Sequence, residues 1–348
     1  MSGETRRRSL GGIGMAQELR ISTLRSLGYE DSEAAFLVAA AVHSGYFLRR
    51  QYESFISAPR GRPSDRFLQR IVNAGHARSL EYPNRTEVFH LFARAIYRAI
   101  GDEDNRNRRP RPNFSIKAKL MALDFVLANR ERRFLGTESE KVQHFCGDLG
   151  IDESLLPGKT YSSRRSSGQT RRYFVEKYPI FVTPGQEHPS STMTSFCYVD
   201  EGVLSTSGFI SFLNRYRWLF VALRRFRLVY VAAEYRHFRS AQRAFDRFAK
   251  SLTRPESRLP RGAMGDYFVL RRLFETRQYD KLDKAKLDRL RDLSARFVHP
   301  KTEAAFQEWT SELMASEQSR PVDAAFEFHL LPHRYDIFST QKEPGSPA

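Results

Sequence analysis

The stretch SDRFLQRIVNAGHA, Ser64 to Ala77, sets Arg66, Gln69, Arg70 and Asn73 on one side of a helical pattern. Phe67, Leu68, Ile71 and Val72 take the i, i+1, i+4, i+5 spacing of a single buried stripe, so the four polar residues point away from it. Arginine matches guanine edges and phosphates, and Asn and Gln amides match adenine. Taken alone, the same pattern also describes the solvated back of a core helix. A second set of chemistry-bearing residues is Glu176, Asp200 and Glu201. Carboxylates that converge can hold a divalent metal and activate water. Asp200 and Glu201 are adjacent, and neighbours on a strand face opposite sides, so only one joins a pocket if the strand runs through both. The other reading is that they end a strand at a turn.

The elements around the first set decide how it is read. DSEAAFLVAAAVHSGYF, from Asp31, predicts an amphipathic helix on Phe36, Leu37, Ala40 and Ala41, stopped by Gly45. FLRRQYESFI predicts a second helix, with Leu48, Tyr52 and Phe55 on one side and Arg49, Arg50 and Gln51 on the other. APRGRP, which contains Arg62, turns the chain, Ser64 caps the third helix, and Gly75 ends it. HARSLEYPNRTEVFHL predicts a hairpin turning at Pro83 and Asn84, with Arg78 and Arg85 on it, and FARAIYRAI a closing helix. Helix, helix, helix, hairpin, helix is the order of a winged helix-turn-helix, in which the third helix enters the major groove. His43 and His76 have no partner at metal-ligand spacing and read as helix-end or packing histidines.

The charge of the chain agrees with a polyanionic partner. Its 348 residues carry 57 Lys and Arg against 40 Asp and Glu, a formal net of +17. Residues 1–112 hold 19 arginines, no lysine and 12 acids, and arginine suits bidentate phosphate contacts. Cys146 and Cys197 form no CxxC pair, which argues against a zinc site or a disulfide framework and suits a reducing cytoplasm. The longest apolar runs, such as WLFVAL, are too short to span a bilayer, and the N-terminal stretch lacks the apolar core of a secretory signal. No cofactor motif is present.

Farther along, RRYFVEKYPIFVT, TSFCYVDEG and FRLVYVAAE predict strands, and STSGFISFLNRYRWLFVALRR and RSAQRAFDRFAKSL predict helices, an α/β layer. YSSRRSSGQTRR predicts a loop whose Arg164, Arg165, Arg171 and Arg172 offer backbone contacts or simply stay solvated. In NRYRWLFVALRRFR, Tyr216, Trp218, Phe220 and Phe226 alternate with arginines, as on base-stacking surfaces and equally as in an amphipathic core helix. SGYFLRRQY, FHLFARAIYRAIG, YVDEG, FISFLNRY and RLVYVAAE together resemble the replication-relaxation-type proteins of bacterial mobile elements and plasmids, over roughly residues 30–250. That resemblance implies a second half like the PD-(D/E)xK nuclease core. Here Tyr198 stands where its acid belongs, Asp200 where its lysine belongs and Ile180 where its first aspartate belongs, so the resemblance implies a catalytically silent body.

The expectation is an α+β chain: a flexible basic arm (1–28), a winged helix (29–101), a basic linker (102–113), a helical connector (114–158), an α/β restriction-endonuclease-like domain (159–255), and a C-terminal helical region with a disordered tail (256–348). The expected role is binding double-stranded DNA in the control of replication, transfer or transcription. A homodimer is a further expectation, and the charge-alternating helices from Met264 to Leu313 suit a replication or transfer protein as partner. The competing expectation is a metal-dependent nuclease with migrated carboxylates.

Overall fold

A computed structural model of the chain describes residues 17–58, 61–162, 169–176, 178–183, 192–202, 206–252, 262–275, 279, 282–317, 322–335 and 338. It is a mixed α+β protein of two compact units. The first described element, α1 (residues 17–25), falls in the basic arm, which the sequence suggests is flexible or partly helical. It is anchored because Leu24 is fully buried and Arg20 pairs with Glu140 at 2.7 Å.

α2 (Asp31–His43) buries Phe36, Leu37, Ala40 and Ala41 completely, as the pattern predicts. Gly45, at φ +81°, turns the chain into β1 (Tyr46–Leu48). α3 (Arg49–Phe55) and α4 (Arg62–Asn73) follow, then Gly75 at φ +66° and the hairpin of β2 (Ala77–Tyr82) and β3 (Thr86–Leu91), then α5 (Arg94–Ala99). β1 pairs antiparallel with β3, Phe47 opposite Phe89, giving a three-stranded sheet in the order β1-β3-β2. The sequence pattern merged β1 into the second helix. All three of its residues are buried, so it shows none of the alternation that announces a half-buried strand.

Residues 102–113, expected to be a linker, are packed against the helices before them. Asn107 is fully buried, and its Nδ2 donates to the carbonyls of Ala41 (3.0 Å) and Val42 (3.3 Å). These are acceptors left open in the last turn of α2. The Lys119 ammonium donates to the Asn107 side-chain oxygen at 2.6 Å. A polar segment thus serves as the cap of a buried helix end, a role that its composition hides.

α6 (Asn113–Ala128) precedes β4 (Arg133–Phe134) and α7 (Glu138–Val142), which runs on into a π-helical turn at Gln143–Asp148. Next come β5 (Gly158–Ser162), β6 (Gln169–Tyr173), β7 (Ile180–Thr183), β8 (Met193–Asp200), α8 (Ser207–Leu223), β9 (Arg225–Ala232) and α9 (Phe238–Leu252). β5 and β6 form a hairpin where a loop was expected, with Thr160 opposite Arg171. After three further helices, β10 (Asp323–Leu330) completes a five-stranded sheet in the order β10-β9-β8-β7-β4. β8 and β9 run parallel through the α8 crossover, while β7 is antiparallel to both β8 and β4. Ile116, Leu120, Met121 and Phe125 of α6 cover one face, on Phe181, Cys197, Val199, Val229 and Val231. Tyr46, Leu48 and Val88 join that same core, so the N-terminal elements and the five-stranded sheet fold as one unit rather than as linked domains.

The other unit spans residues 220–224 and 246–323 and contains α10 (Ala263–Glu275), α11 (Lys284–Arg296) and α12 (Pro300–Glu317). Its own core gathers Tyr267, Phe268, Leu293, Phe306 and Trp309. The C-terminal region is therefore helical as expected up to α12, and β10 corrects the remainder. Tyr335, beyond β10, is buried in the core of the first unit, and the tail after residue 338 lies outside the described residues. Among the described residues no helix is long and apolar enough to cross a membrane.

Candidate nucleic-acid interface

α4 buries Ser64, Phe67, Leu68 and Ile71 and turns a continuous stripe outward. Arg62, Arg66, Gln69 and Asn73 are exposed at i, i+4, i+7 and i+11, which is one face of a helix. Val72, expected in the core, is 38 % exposed beside that stripe, because Phe67, Leu68 and Ile71 already fill the contact with α2 and α3. Arg78 on β2 and Arg85 at the hairpin tip are exposed as well. Arg85 sits at φ 54°, held in the left-handed region by the tight Pro83–Arg85 turn.

Several other residues expected to contact nucleic acid are engaged by groups of the protein itself. Arg70 donates to Glu33 Oε2 at 2.8 Å, and that carboxylate is only 4 % exposed. The Ser64 hydroxyl, expected to cap α4, lies in its first turn, where it is buried with Glu53 Oε1 and the Gly61 carbonyl both 2.9 Å away as acceptors for its one hydrogen. Arg49 pairs with Asp65 across the α3–α4 turn. Arg50 grips Asp124 with two parallel hydrogen bonds of 2.8 and 2.7 Å, and the same carboxylate accepts from the Tyr335 hydroxyl. Arg171 and Arg172 are exposed on β6, where Arg172 lies 3.9 Å from Glu138 and Arg171 lies over the Tyr173 ring. Arg164 and Arg165 lie outside the described residues. Of the interleaved aromatics, Tyr216, Phe220 and Phe226 are buried, which makes them core and not a stacking platform.

The carboxylates gather differently from expectation. β8 ends at Asp200, and Asp200 and Glu201 both line one cleft of about 270 Å³, just before Gly202 turns the chain at φ +78°. Glu201 also borders an adjoining cleft that includes Glu176. Asp200 Oδ2 accepts from the Tyr230 hydroxyl and from His237 Nδ1, both at 2.8 Å, and Oδ1 accepts from the Gly202 amide. Glu176 is engaged by Arg215. Burial pushes the Glu201 carboxyl pKa up, with Asp200 adding to the shift and Lys117 opposing it. Tyr198 and Ile180 are buried in apolar surroundings. Among the described residues no group of three His, Cys, Asp or Glu side chains has metal-holding geometry. Tyr230, His237 and Lys117 were missed in the sequence. Tyr230 and His237 lie 30 and 37 residues from Asp200 in the chain and meet it through the parallel register that sets Asp200 opposite Ala232, while Lys117 reaches the cleft from α6.

No protein-family model, curated protein or solved structure matches the chain.

Proposed function

We propose that α2 to β3 act as a winged helix that lays α4 into the major groove of duplex DNA, with Arg78 and Arg85 of the hairpin against the backbone. The observation that carries this reading is the outward stripe of α4: two arginines and two amides, contiguous, exposed and without an ion pair among the described residues, on the third helix of an α-β-α-α-β-β unit. Arg66 and Arg62 match guanine or phosphate, and Gln69 and Asn73 match adenine. The five-stranded body contributes a rigid base, read as catalytically silent because Ile180, Tyr198 and Asp200 stand where the nuclease pattern needs its aspartate, acid and lysine. The resemblance to replication-relaxation-type proteins supports a role in replication, transfer or transcription of a mobile element.

The test is fluorescence anisotropy of a labelled mixed-sequence duplex titrated with the full chain across salt, followed by selection of a preferred site. The reading expects binding that falls steeply with salt. It also expects Arg66→Ala to weaken preferred-site binding by about 1–3 kcal/mol while random-duplex binding changes less. Absence of binding at low salt rules the reading out, and equal losses on both duplexes reduce Arg66 to a phosphate contact.

A further inference from the structure

A cleft of about 400 Å³ opens in the first unit, on the side of α2 away from α4. Its apolar floor comes from Val38 and Val42 of α2, Phe55 of α3, Val126 and Leu127 of α6, and Phe134 of β4. Its depth comes from Ala35 and Ala39, small side chains at i and i+4 on α2. Four arginines border it, Arg20, Arg130, Arg132 and Arg133, against the single carboxylate of Glu140. That carboxylate is already occupied by Arg20 at 2.7 Å and by the amides of Gly136 and Thr137, so Arg130 and Arg133 keep no carboxylate among the lining residues, and Arg132 has only the exposed Glu131 beside it, with its Nε 3.5 Å away. Arg130 lies 4.8 Å over the Phe55 ring and donates one N–H to the Phe55 carbonyl, and Arg132 lies 4.7 Å over the Phe181 ring. Aromatic faces thus hold two guanidinium groups in place while leaving most of their five N–H donors unused. His43 in the wall stays neutral, because burial, assisted by Lys141 and Arg20, pushes its pKa down to about 3.

We propose that this cleft is a ligand site for an amphipathic anion, a carboxylate or phosphate carried on an apolar body. Its size lies in the range of small-molecule pockets, roughly 300–1,000 Å³, and an apolar floor with a few fixed polar groups at the rim is how such pockets recognise ligands. An apolar body lies on the α2–α6 floor, and the anionic head reaches Arg130 and Arg132. Because the guanidinium groups are already positioned, binding orders few side chains. The site is independent of the α4 stripe and of what that stripe contacts.

The experiment is calorimetric titration of the full chain with decanoate, decyl phosphate and decanol. Both anions are expected to bind, with decanol at least about tenfold weaker because it lacks a charge-assisted contact. Arg130→Ala or Arg132→Ala weakens both anions about tenfold and leaves decanol unchanged. Ala39→Phe, which fills the floor from a half-buried position, abolishes binding of all three while the urea midpoint stays near that of the unmodified chain. Should Ala39→Phe lower that midpoint, Arg130→Ala decides, since Arg130 is exposed. Arg66→Ala, on α4, leaves decanoate binding unchanged. No heat with either anion at millimolar concentration overturns the proposal. So does decanol binding as tightly as decanoate, or an equal loss in Arg66→Ala and Arg130→Ala, which would mean adsorption to a basic surface only.

Discussion

Arg50→Ala separates a structural arginine from a nucleic-acid contact. In the folded chain Arg50 binds Asp124 through two hydrogen bonds of 2.8 and 2.7 Å and lies 5.6 Å from the centroid of the Tyr335 ring. The Asp124 side chain is 9 % exposed, and its remaining partner is the Tyr335 hydroxyl. Removing one member of a buried pair costs about 3–5 kcal/mol, because the other charge stays buried without compensation. The Arg50 side chain is 31 % exposed, so solvent already screens part of the attraction, and the expected loss falls to about 2–3 kcal/mol. Tyr335→Phe removes a single hydrogen bond to a carboxylate and is expected to cost about 1.5–3 kcal/mol. Because Arg50 and Tyr335 share the one Asp124 carboxylate, Arg50→Ala and Tyr335→Phe are expected to be non-additive. Urea denaturation followed by tryptophan fluorescence gives the stabilities, and duplex anisotropy on the folded variant gives the affinity. The reasoning is refuted if Arg50→Ala leaves stability within about 0.5 kcal/mol of the unmodified chain and lowers duplex affinity instead.

Three further outcomes follow from buried groups in the same unit. His90 stacks on Tyr46 with centroids 4.3 Å apart, and its Nε2 lies 3.0 Å from the Asn107 carbonyl. Burial pushes its pKa from 6.5 to about 4, opposed by that hydrogen bond and assisted by Arg78 and Lys119. The folded value lies below the unfolded one, so the unfolded chain takes up the proton first. Stability is complete above the unfolded pKa and is lost as pH falls from 6.5 toward about 4, by up to about 3 kcal/mol for this group. Urea midpoints at pH 7.5 and 5 check it, and His90→Gln should flatten the slope; an unchanged slope would assign the loss to other histidines. Gly45→Ala forces a side chain into φ +81° and puts its Cβ 2.6 Å from the Asn107 Cβ, so thermal denaturation should show a loss of about 2 kcal/mol or more. Glu33→Ala frees Arg70 and removes the acceptor 3.0 Å from the Glu30 amide at the start of α2, for an expected loss of about 2 kcal/mol by urea denaturation.

Much of this fold is legible in the sequence wherever one element carries its own signal. α2 and α4 follow from the spacing of Phe36, Leu37, Phe67, Leu68 and Ile71, and the β2–β3 hairpin follows from Pro83 and Asn84 between alternating residues. β8 and β9 follow from their apolar runs. Elements defined by a partner are not legible. β1 exists because β3 pairs with it, and β10 because β9 offers a free edge to a segment more than 90 residues later. The π-helical turn at Gln143–Asp148 and the capping of α2 by Asn107 leave no periodic trace.

The same distinction governs the candidate interface. Sequence patterning separates arginines that face the core from arginines that face away from it, and it places Arg49, Arg50, Arg62, Arg66 and Arg70 in one outward class. Facing outward from one helix is not the same as facing solvent, because a second element can supply a carboxylate. Asp65, Asp124 and Glu33 do this for Arg49, Arg50 and Arg70, at sequence separations of 16, 74 and 37 residues. Each pair consumes charge that a phosphate would otherwise neutralise, and Arg50 and Arg70, which hold the buried carboxylates of Asp124 and Glu33, would have to abandon them to reach DNA. Arg62 and Arg66, together with Gln69 and Asn73, remain on the exposed stripe of α4. An arginine-rich chain therefore has fewer candidate contacts than its composition suggests; from α2 to β3, the described arginines without an ion pair, Arg62, Arg66, Arg78 and Arg85, lie on one face of α4 and on the neighbouring hairpin.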